Sequence, residues 1–145
     1  MSFLDAIQIS SSGMTAQRIR MDVISSNLAN INTTRTPQGG PYQRKDVVFA
    51  TQPVGQSFKS VLNSQMNGNL SGVKVLGIIG ASRPPLLKYD PQHPDANDEG
   101  YVAMPNINLI EEMVNMISAT RSYEAGVTAV NATKSMALKA LEIGR

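Results

Sequence analysis

Five ionisable side chains crowd one short stretch: Asp90, His93, Asp95, Asp98 and Glu99. Such a cluster suggests two chemistries, oxygen ligation of a divalent cation or proton transfer by a histidine–carboxylate pair. Asp95-Ala96-Asn97-Asp98-Glu99-Gly100 resembles the opening of an EF-hand loop. Its twelfth position would be Asn106, where a bidentate Glu is needed, and prolines stand where a preceding helix should be. His93 is the sole histidine, and no nucleophile and orienting acid are placed for it. The stretch therefore reads as an Asx-turn loop with carboxylates solvated or bonded to backbone amides. GNLSG and GIIG lack the Gly-Lys-Ser/Thr ending of a phosphate loop and read as turns. Arg18 with Arg20, and Arg44 with Lys45, read as solvated basic pairs. No catalytic residue, metal ligand or cofactor is expected, and the chain is not expected to be an enzyme.

Bulk properties narrow the classes further. The chain has 145 residues and a formal net charge of +2, with both signs spread along it. Aromatics are 5% and Trp is absent, so neither backbone neutralisation nor base stacking argues for nucleic acid. With no Cys, disulfides, thiolate nucleophiles and Cys-type zinc sites are excluded. The N-terminal MSFLDAIQISSSGM has no basic region followed by a continuous apolar one, so no cleaved signal is expected. The longest apolar run, 75–81, is far short of the ~20 residues a membrane span needs.

What remains is amphipathic helix. In residues 106–144, Leu109, Met113, Met116, Thr120, Tyr123, Val127, Val130, Lys134, Ala137 and Leu141 alternate at spacings of four and three. That is a heptad seam. A second row, Ile110, Val114 and Ile117, widens the face in its first half. About 38 residues would make a helix about 57 Å long, which needs a partner along its length. Asn106 or Asn108 is placed to cap it, with Glu111 and Glu112 in the first turns, where the dipole favours acids. Residues 3–31 carry the second stripe. Ile7, Met14, Met21 and Leu28 recur every seven residues with Ile24 beside them, and Ile9, Ala16 and Val23 form a parallel row. Ser10, Ser11, Ser12, Gly13 and Thr15 weaken this helix, so it is expected to form fully only when covered. The methionines suit ordinary core or packing against variable neighbours. Asn27, Asn30 and Asn32 are placed to bond free backbone groups or bridge to a neighbouring helix. Arg121 has Glu124 as its nearest intrahelical acid, an intermolecular ion pair being the alternative.

Between the stripes, YQRKDVVFAT, SFKSVL, GVKVLGIIGA, LLKYD and YVAM read as short strands separated by turns such as NSQMNGNLSG. The expected fold is α+β: two long terminal helices pairing as a coiled coil, with a small β-rich domain inserted between them. The expected division is an N-terminal helix and motif at 1–35, the insertion at 36–104 and the long helix at 105–145. The row Ile110–Val114–Ile117 is expected to be buried against the β-rich part or another subunit. Each stripe alone lacks cover, so the free monomer is expected to have partly disordered termini.

The motifs themselves are diagnostic. SSNLANINTTRT (25–36) resembles the N-terminal motif shared by axial proteins of the bacterial flagellum, the rod and hook subunits. The stretch from INLIEEM onward resembles their C-terminal motif, and YDPQHPDANDEGYVAMPNINLIEEM (89–113) resembles that of a proximal-rod member. The resemblance covers essentially the whole chain. It places Asn27, Leu28, Ala29 and Asn30 in the first motif, and Glu112, Met113, Arg121, Tyr123 and Glu124 in the second. Gly126 departs from the Asn usual after Tyr-Glu-Ala, and permits either a close helix approach or a bend.

The resemblance implies a structural subunit of the rod, the shaft that crosses the periplasm and carries torque from motor to hook and filament. It implies as partners copies of the same chain, other rod proteins, ring and adaptor proteins at the rod base, and the flagellar type III export apparatus. It implies localisation in the basal body, after export without a cleaved signal peptide. Neither nucleic-acid binding nor membrane insertion is expected. The alternative is a coiled-coil adaptor or export chaperone of a secretion system.

Overall fold

The computed structural model describes residues 3–53 and 71–144. The expected strand SFKSVL and most of the turn after it lie outside the described residues. Helix α1 spans Phe3–Ala29. Strand β1, Lys45–Pro53, pairs antiparallel with β2, Ser71–Gly80. Strand β3, Leu86–Tyr89, pairs antiparallel with β4, Tyr101–Met104. Helix α2 spans Leu109–Ile143. The architecture is the expected α+β, two helices flanking small β hairpins.

Both helix ends have chemical causes. Asn108 caps α2, its side-chain oxygen accepting from the backbone N–H of Ile110 (2.9 Å) and Glu111 (3.4 Å). Asn106 instead donates to the Pro84 carbonyl at 3.0 Å and ties the helix entry to the loop before β3. At the end of α1, the Asn30 side chain donates to the Ser26 carbonyl at 2.8 Å, a carbonyl that also accepts the Asn30 backbone N–H at 3.1 Å. The chain then reverses through Gly39 and Gly40, both at positive φ (87° and 75°), where a side chain would be strained. Tyr42 comes back to α1 and donates its N–H to the Thr33 carbonyl at 3.0 Å.

The helices run antiparallel. Asn27 meets Glu112, Met21 meets Thr120, and Met14 lies against Gly126. The covered side of α2 carries Glu112, Met116, Ala119, Tyr123, Gly126, Val130, Thr133 and Ala137, a seven-residue repeat in two rows. Within the chain, the pairing uses part of the seam read from sequence, including Thr120, which meets Met21. The row Met116, Tyr123, Val130, Ala137 lies on the covered side, but its companion is Glu112, Ala119, Gly126, Thr133. Leu109, Met113, Val127, Lys134 and Leu141 are exposed. Close approach is the physical reason. Ala119 is wholly buried, and a Cβ added at Gly126 would stand 2.7 Å from Met14 Cγ. The hydrophobic pattern favours bulky residues, whereas two helices this close admit small ones.

The Ser/Gly segment of α1 is where β2 docks. Ser12 donates to the Ile9 carbonyl (2.7 Å) and accepts from the N–H of Val73 (3.0 Å). A Cβ at Gly72 would come within 2.7 Å of the Ser12 hydroxyl. Residues that weaken the isolated helix thus let a strand approach it. The β1–β2 ladder shifts register between Val48 and Phe49, and Leu76 of β2 has no partner and is 71% exposed. The buried apolar core is thin: Ala16, Val23, Ile24 and Ala119 in the helix pair, Val102 and Ile107 beside it.

Candidate functional site

The largest fully buried side chains among the described residues are both polar, Asn27 and Glu112. They meet where the end of α1, the start of β1 and the head of α2 converge. Asn27 uses its whole hydrogen-bonding capacity there. Its Nδ2 donates to the Lys45 carbonyl (2.8 Å) and to Glu112 Oε2 (3.0 Å). Its Oδ1 accepts from the Lys45 N–H (2.9 Å) and the Tyr42 hydroxyl (3.1 Å). Toward Lys45 it acts as one residue of a neighbouring strand, offering both a donor and an acceptor. The other Glu112 oxygen accepts from Arg44 Nε at 2.8 Å, and Arg44 also reaches Asp46 at 3.2 Å.

Every partner in this latch is needed. A carboxylate out of water costs several kcal/mol unless paired and hydrogen-bonded, and Glu112 is both. Burial works against the charge of Arg44, but the hydrogen bond and charge of Glu112, and then those of Asp46, outweigh it and raise its pKa. A raised basic pKa contributes stability that is complete below the group's ordinary pKa and is lost only as pH rises through the raised one. Arg44 therefore holds the latch unchanged through the physiological range. The latch positions a backbone, and its Asn27 and Glu112 side chains are wholly buried.

The Arg44–Lys45 pair is not the solvated basic pair its sequence suggests. The Arg44 side chain is only 12% exposed and locked to Glu112, while Lys45 stays exposed. Nor is Glu112 merely a dipole partner in a first turn. Its one legible signal is its seven-residue offset from Ala119 and Gly126. Asn27 realises both roles read for it, binding a free backbone and bridging to the other helix.

The remaining sequence-derived residues divide by helix face. Ile7, Met14, Met21 and Leu28 are half-buried, Ile24 is buried, and Asn30 shapes the end of α1. On α2, Met116 and Tyr123 line the seam. Ile110, Val114 and Ile117 are 72%, 60% and 52% exposed, so the described β strands do not cover them. Leu109 and Met113 extend this apolar face. Arg121 and Glu124 are exposed, and no ion pair joins them. Beyond Ala137, α2 outruns α1, leaving Leu138, Leu141 and Ile143 exposed. Gly126 permits a close approach, its backbone set against Met14.

The acidic loop is ordered by an amide. Asn97 Oδ1 accepts from the N–H of Tyr101 (2.7 Å) and Glu99 (3.2 Å). Asp95 accepts from the Thr34 hydroxyl at 2.7 Å. Gly100 has φ +80°, and a Cβ there would stand 3.0 Å from Tyr89, which packs edge-on against Tyr101. Among the described residues, no three acidic or histidine side chains gather as a metal site would require.

Comparison with known proteins supplies the context for this geometry. Residues 7–35 match the family described as flagella basal body rod protein. Residues 98–143 match the C-terminal family of the flagellar basal body rod FlgEFG proteins. The chain is 53% identical to the flagellar basal-body rod protein FlgC of Bacillus subtilis, with all of both chains covered. It is 47% identical to the FlgC of Borreliella burgdorferi, covering 99% of this chain and 98% of that one. It is 41% identical to the FlgC of Escherichia coli O6:H1 over the full length of both.

Proposed function

Since the chain belongs to the flagellar basal-body rod protein family, we propose that it builds the proximal part of the rod and carries torque through helix–helix contacts. It is a structural subunit of the flagellar basal body rod. The observation that carries the mechanical reading is the apolar face Leu109–Ile110–Met113–Val114–Ile117, which α1 leaves uncovered. An exposed row this long on a helix head is a surface for another protein. Neighbouring copies and other rod proteins supply its cover, with Arg121 and Glu124 further along the same helix available for ion pairs between subunits. The exposed tail at Leu138, Leu141 and Ile143 extends that surface.

In this reading the chain divides into the N-terminal helix and motif (1–35), the β-rich insertion (36–104) and the long helix (105–145). The insertion contacts ring or adaptor proteins at the rod base, and the helices pack toward the rod's axis. The chain passes through the type III export apparatus without a cleaved signal and takes its place in the periplasm-spanning rod. Torque transmission needs stiffness, which the fully bonded latch supplies where both helices meet the β hairpin.

Ile117→Asp tests the proposal in a deletion strain complemented by the variant. The isolated chain should lose no more than ~0.5 kcal/mol, because the site is exposed. Export should continue, while rod assembly and swimming are lost. Normal swimming with this variant would sink the assembly role of the face.

A further inference from the structure

A cleft of about 220 Å³ lies between α1, β1 and the head of α2, bordered by Arg20, Lys45, Arg83, Asp46, Glu111 and Asn115 among others. Most of its charges are already matched. Asp46 is held by Arg44, and Glu111 stands 3.7 Å from Arg83. Among the described residues, Arg20 reaches only the Asn115 amide oxygen, at 3.4 Å. The Lys45 ammonium lies over the Tyr42 ring, 5.6 Å from its centroid. Two cations thus border one cleft with no carboxylate of the described residues paired to them.

The complementary feature is the acidic loop. Asp98 and Glu99 are exposed, and no described side chain pairs with their carboxylates. Asn97 and the Thr34–Asp95 bond hold the loop in one shape, so its charges are presented without further ordering. Within one chain neither of these carboxylates is paired with Arg20 or Lys45. Leu86 pairs with Met104 at the end of the β3–β4 hairpin nearest Arg83, and Tyr89 pairs with Tyr101 at the end bearing the loop. Three residue steps of strand separate those ends by roughly 10 Å.

We propose that the Arg20–Lys45 cleft receives Asp98 and Glu99 of a second copy of this chain. Donor and acceptor lie on different surfaces, so the contact is heterologous and repeats from copy to copy instead of closing a dimer. That is the symmetry a helical shaft requires, and the inference rests on the rod-subunit reading for its polymer.

Cross-linking tests the contact in the assembled rod. The chain has no cysteine, so Lys45→Cys and Asp98→Cys can be introduced together in the complemented deletion strain. A short bis-maleimide applied to isolated basal bodies should yield a dimer of this chain that neither single variant gives. Charge reversal supplies a second readout. Asp98→Lys with Glu99→Lys should lower rod yield about tenfold, equivalent to about 1.4 kcal/mol. Adding Arg20→Glu and Lys45→Glu to the same chain should restore it. Basal bodies that form without the dimer would overturn the proposal. So would an undiminished yield after loop reversal, or a loss that cleft reversal does not rescue, the latter pointing to an acidic partner from another rod protein. Failure of the rod reading itself would look different, because the deletion strain would then swim and its basal bodies would lack nothing.

Discussion

The two ends of the helix pair are held by opposite chemistry. At the head, Asn27, Arg44 and Glu112 form a buried polar latch in which hydrogen-bonding groups have matched partners. Toward the tail the contact relies on small residues and close approach, with Gly126 set against Met14, and it ends in exposed Leu138, Leu141 and Ile143. Polar networks tolerate only one register, because a shift of one residue would strand a buried carboxylate. A seam of small residues tolerates sliding better and depends on neighbours for its cover. The difference assigns register to the head and adaptability to the tail.

The comparison breaks most severely at Arg44. Arg44→Ala leaves Glu112 buried without a counter-charge and should cost about 3–5 kcal/mol in denaturant titration of the isolated chain. If the loss is under about 1 kcal/mol, the latch does not set the register. The next effect belongs to the tail contact. Gly126→Val drives a branched side chain into Met14 and should cost about 1–3 kcal/mol. Met14→Ala should recover part of that cost, and a double-mutant cycle measures the coupling. Strict additivity would show that the helices are not in close contact there. The smallest effect is expected at the overhang. Ile143→Ser should change stability by less than about 0.5 kcal/mol, since the side chain is 86% exposed. Hydrogen exchange sharpens the same contrast, with amides near Asn27 and Glu112 outlasting those beyond Val130.

Much of this was legible from residue order. Both helices, the described strands within a few residues, and Asn108 as one of two candidate caps follow from periodicity and turn chemistry. Seven-residue spacing found one row of the α2 seam, Met116–Tyr123–Val130–Ala137, and missed the other. The missed row is Glu112, Ala119, Gly126 and Thr133, residues of low or no hydrophobicity, which a search for apolar positions passes over. Arg44 reads as solvated for the same reason. Its burial follows from a chain reversal at Gly39–Gly40 that returns residues 42–46 to the end of α1.

By itself, then, the order of residues determined the elements and the family motifs, because each depends on neighbours within a few turns of the chain. Tertiary structure decided which face of α2 is covered, which charges are buried and which apolar row is left outward. Those depend on how closely α1 approaches and on Asn27 meeting groups 18 and 85 residues away, and no local pattern encodes such a distance.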